Sequence, residues 1–70
     1  MKEKPMQRSD ARRIAESILS GGLTRQGRIR SADRFLDDVQ DAVKKGQCTD
    51  ARYCMRKAVD TWLAVVTEGK

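Results

Sequence analysis

The chain predicts an all-α fold, a small three-helix bundle, from three observations. No proline follows Pro5 in the 70 residues, so little interrupts helix. Apolar side chains recur at three- and four-residue spacing in three separate stretches. Capping residues open those stretches and glycines close two of them. Residues 1–8 are polar, charged and without period, and are expected to form a flexible lead-in to a single helical domain over 9–70.

The first helix is expected over about 10–20. Ser9 is placed to cap it, Asp10 complements its positive end, and Ala11, Ile14, Ala15, Ile18 and Leu19 form one stripe. Gly21 and Gly22 then stop it. Residues 21–30 show no clean period and hold three glycines and three arginines, which reads as a connector with at most one helical turn after Thr24. The second helix is expected over 31–45, capped by Ser31. Its stripe is Ala32, Phe35, Leu36, Val39, Ala42 and Val43, and it closes on Lys44, Lys45 and Gly46. Thr49 is expected to cap the third helix, over 49–68. The apolar face of that helix, from Ala51 and Cys54 to Val65 and Val66, is too wide for one neighbour. The third helix should therefore lie between the other two, or between them and a second subunit.

A chain this short gains roughly 3–5 kcal/mol at most from its own core, which leaves room for stabilisation by a partner. Phe35, Tyr53 and Trp62 are the only aromatic residues. Two cysteines six positions apart match neither a redox pair nor half of a zinc site, so Cys54 reads as core and Cys48 as a turn residue. The absence of a secretory or membrane-spanning apolar run leads to the expectation of a reduced, cytoplasmic protein without membrane association.

Catalysis finds little support. With no histidine, the commonest general base and the commonest metal ligand are both missing. No phosphate loop or nucleophile elbow is present. Asp33, Asp37 and Asp41 follow one another at four-residue intervals, but on the outside of a helix such carboxylates diverge instead of converging on a cation. No enzyme activity, cofactor or metal is expected.

Charge is the informative feature. The chain carries a formal net charge of +5, and all of it falls in residues 1–30; residues 31–70 hold equal numbers of each sign. A cationic end on a neutral body reads as a surface for an anion. Arg12, Arg13, Arg25, Arg28 and Arg30 are the expected phosphate contacts, with Arg52 and Arg56 secondary. Arginine suits this role because its planar fork pairs with phosphate at two points. The expected function is a non-enzymatic accessory or regulatory factor that binds nucleic acid, DNA or RNA. A helix-turn-helix is a poor fit, since Lys45 and Arg52 fall at positions that motif fills with apolar residues. The alternative is a small helical adaptor or inhibitor of the kind phages and mobile elements encode, acting on a host protein. Its anchor would be Trp62, Leu63 and Val66, which read first as plain core and otherwise as the seam of a homodimer, and its cationic front could dock on an acidic protein surface.

Overall fold

The computed structural model describes residues 5–20, 22 and 24–68, and among them three helices: α1 (Arg8–Leu19), α2 (Arg25–Lys44) and α3 (Ala51–Val66). They pack as a small bundle. α3 makes its most extensive contact with α2 and a lesser one with α1, while α1 and α2 touch least. The width of the apolar face on α3 is explained by this central position.

The core is built mostly from small side chains. Ala11 and Ala15 from α1, Ala32 from α2, and Cys54 and Ala58 from α3 let the helices approach closely. Ile18, Phe35, Val39 and Val65 fill the remaining space. Thr61 is buried among them, a position the apolar pattern does not mark. Its hydroxyl donates to the Lys57 carbonyl oxygen at 2.7 Å, so the polar group is satisfied within its own helix. Cys54 is a free, buried thiol, as its spacing implies.

Each helix begins at a residue other than the expected cap. α1 opens on Gln7, whose N–H donates to Asp10 Oδ2 at 3.1 Å, so Ser9 already lies inside the helix. α3 opens on Asp50, whose carboxylate accepts from the Tyr53 N–H at 3.1 Å. The largest difference is in α2. It starts six residues before Ser31, because the Thr24 hydroxyl accepts from the Gly27 N–H at 3.1 Å and nucleates the first turn there. The stretch from Arg25 to Arg30 is therefore helix, and only a short connector remains between α1 and α2. Gly21, the expected stop of α1, lies outside the described residues.

The α2–α3 turn follows its signals closely. Gly46 takes φ +70°, the Gly46 N–H donates to Val43 and the Gln47 N–H to Ala42, which closes the helix with two backbone bonds. The same turn holds part of the expected flexible lead-in. The Met6 N–H donates to the Gln47 carbonyl at 2.8 Å, and the Met6 carbonyl accepts from the Thr49 N–H at 2.9 Å. Residues 1–4 of the lead-in lie outside the described residues; Met6 and Gln7 are tied down. No helix among the described residues is long and apolar enough to cross a membrane.

Candidate nucleic-acid interface

The predicted arginines fall into separate groups. Because Arg25, Arg28 and Arg30 ride on one helix, they cannot converge as a flexible loop would allow. Arg25 and Arg30 are about 140° apart around the axis at 3.6 residues per turn. Both are exposed, and neither forms an ion pair with another described residue. Arg28 turns inward. Its side chain is only 16% exposed, and Nη2 donates to Glu68 Oε1 at 2.6 Å, linking the start of α2 to the chain just beyond α3. Arg28 thus leaves the phosphate-contact set and joins the bundle's internal architecture.

Arg12 and Arg13 remain on the surface. Arg12 Nε donates to Glu16 Oε1 at 3.1 Å, and Arg13 Nη2 to Asp10 Oδ1 at 3.5 Å, while the two arginine side chains stay 69% and 78% exposed. Both partners are on α1 itself, one turn away. Among the described residues, the ion pairs of Arg12, Arg13 and Arg56 are with carboxylates of their own helices and not with the aspartates along the outside of α2.

Two residues that sequence reasoning passed over complete this face. Arg8, Ser9, Arg12, Arg13 and Glu16 of α1 and Tyr53 of α3 line one shallow cleft. The Arg8 guanidinium lies over the Tyr53 ring, 5.6 Å from its centroid, and its Nε donates to Asp50 Oδ2 at 2.7 Å. The Tyr53 backbone N–H, and after it Arg8, hold the Asp50 carboxyl below its usual range. Arg8 falls at the end of the expected lead-in, and only the bundle brings Tyr53 beside it. On α3, Arg52 precedes Tyr53 and is exposed, without an ion pair among the described residues; Arg56 follows one turn later, 4.0 Å from Asp60. Arg12 and Arg13 thus line a cleft that also holds an aromatic ring, while Arg52 and Arg56 lie outside its lining on the same helix as Tyr53.

The expected apolar anchor divides. Trp62 is half-buried against the core, and its indole N–H donates to Asp33 Oδ1, so it joins α2 to α3. Val66 is also half-buried. Leu63, by contrast, is 46% exposed, and Val59, four residues before it and part of the apolar face expected for α3, is 39% exposed. Among the described residues, no group of three Cys, Asp or Glu side chains is gathered to hold a metal ion. Comparison with protein-family models, curated proteins and solved structures finds no match.

Proposed function

We propose that this is a non-enzymatic cytoplasmic protein that binds DNA or RNA as an accessory or regulatory factor. The α1/α3 face would make the contact. The observation that carries the reading is the state of Arg12 and Arg13: exposed, and paired only with exposed carboxylates of their own helix among the described residues. Such surface pairs are worth about 0–1 kcal/mol, so a phosphate, which arginine binds at two points with charge assistance, displaces them readily. Tyr53, which lines the cleft, offers a ring against which a base or a sugar can rest. Arg52 and Arg56 extend the positive field, while Arg25 and Arg30 lie apart from it and from each other, on different sides of the start of α2.

The test is fluorescence anisotropy with short DNA and RNA fragments across a salt series. Affinity should fall steeply as salt rises, and the double substitution R12A/R13A should reduce the slope of log K against log salt by about 2, one unit per lost phosphate contact. Absence of binding at low salt would overturn the reading.

A second reading is favoured by the exposure of Val59 and Leu63. Apolar side chains on an outer helix face suit a protein partner, and α3 would then be the docking element, including for self-association.

A further inference from the structure

On α3, Arg52, Arg56, Val59 and Leu63 follow one another at i, i+4, i+7 and i+11 and form a single outward stripe, basic in its first half and apolar in its second. On the opposite side, where α1 and α2 touch least, a groove runs between those two helices. Its charge divides the other way. One end carries Asp10, Asp38 and Asp41, the other is floored by the buried Ile18 and Phe35, and the partly exposed Ile14 lines both. We propose that this α1/α2 groove receives the α3 stripe of a second copy of the chain, joining molecules head to tail.

Three observations support a second copy as the occupant. The first is length. The centre of the arginine pair lies about 10 Å from the centre of Val59 and Leu63, at 1.5 Å rise per residue, and Asp38–Asp41 lie about as far from Phe35 and Ser31 along α2. Seated antiparallel to α2, the stripe sets its arginines on the aspartates and its aliphatic pair over the end floored by Ile18 and Phe35. The second is availability. Asp38 has no ion pair or hydrogen bond among the described residues and lines both halves of the groove, while Arg52 on the stripe is likewise unpaired. Asp41 is held by Lys45 at 3.1 Å and Asp10 by Arg13 at 3.5 Å, both exposed pairs that exchange easily. The third is polarity. Arg13 lines both halves of the groove but Arg34 only the far one, so a basic stripe that enters the other way round meets the added repulsion of Arg34.

Stripe and groove are different surfaces, so the contact is heterologous and repeats into a ring or an open chain instead of stopping at a symmetric pair. The inference rests on the reading of α3 as a docking element and not on nucleic-acid binding.

Sedimentation velocity on nuclease-treated full-length protein, over a concentration series at low salt, supplies the test. The wild-type protein should gain mass with concentration and lose that gain at high salt. Leu63→Glu, which spoils the stripe, and Ile14→Glu, which spoils the groove, should each remain monomeric; Asp38→Arg serves as a second groove variant should Ile14→Glu lose its helical circular dichroism. Mixing a stripe variant with a groove variant should give a 1:1 dimer that grows no further, because one intact stripe then meets one intact groove. A wild-type protein that stays monomeric at every concentration overturns the proposal. So does association that survives both groove substitutions but not Leu63→Glu, the signature of a symmetric α3–α3 seam, and so does a mixture that stays monomeric. Anisotropy with nucleic acid on the Leu63→Glu variant keeps the two questions apart, since Arg12 and Arg13 are untouched.

Discussion

At the scale of single residues, burial changes what a side chain can do more than its identity does. Cys54 is the clearest case. Burial pushes its thiol up to about 12 from an ordinary 9.0, and Cys48 beside it acts in the same direction. Such a thiol ionises more easily in the unfolded chain. Between those two values the unfolded state therefore binds fewer protons, and the stability present in full below pH 9 is lost as pH rises toward 12. The urea midpoint should fall over that window, and Cys54→Ala should flatten the fall. Iodoacetamide at pH 8 should modify Cys48 well before Cys54, because only the thiolate reacts. The same contrast separates the arginines. Arg28 and Arg30 are two residues apart, yet one is committed to Glu68 inside the bundle and the other faces water.

At the scale of helices, caps decide where an arginine-rich stretch ends and an element starts. Thr24 and Ser31 are both plausible openings for α2, and local preference does not separate them. The Thr24 hydroxyl holds the cap and Ser31 lies within the helix, half-buried. Thr24→Ala should then cost about 1 kcal/mol in urea denaturation, the usual loss for a cap. Ser31→Ala should change stability by less than about 0.5 kcal/mol, as substitutions away from special features do. The reverse pattern would place the start of α2 at residue 31. Periodicity read the interior of α2 well: Ala32, Phe35 and Val39 are buried, with Leu36 and Val43 packed against them. It read α1 less well. Ile14 and Leu19 share the stripe of Ala11, Ala15 and Ile18 but stay exposed: Ile14 lines the open groove toward α2, and Leu19 is the last residue of α1.

For the whole molecule, the core of alanines and one cysteine brings the backbones close but removes little apolar surface from water. Phe35 is the single large aromatic side chain buried in it. Truncating a buried phenylalanine to alanine costs about 3–5 kcal/mol. That is as much as a domain of this size gains from its core. Phe35→Ala should therefore abolish the far-ultraviolet helical signal at 25 °C, whereas Leu63→Ala on the outer face of α3 should leave it in place.

Three helices, their order, most of the buried positions and the segregation of charge to the leading residues are all written in the chain, because local spacing, caps and net charge are properties of neighbours in sequence. The candidate site is only partly so. Arg12, Arg13, Arg52 and Arg56 are legible as cations, but Tyr53 beneath Arg8, the withdrawal of Arg28 to Glu68 and the exposure of Val59 depend on residues 40 or more positions apart or on which helix covers which. Packing decides these, since a side chain's access to solvent is set by whatever the rest of the chain lays against it.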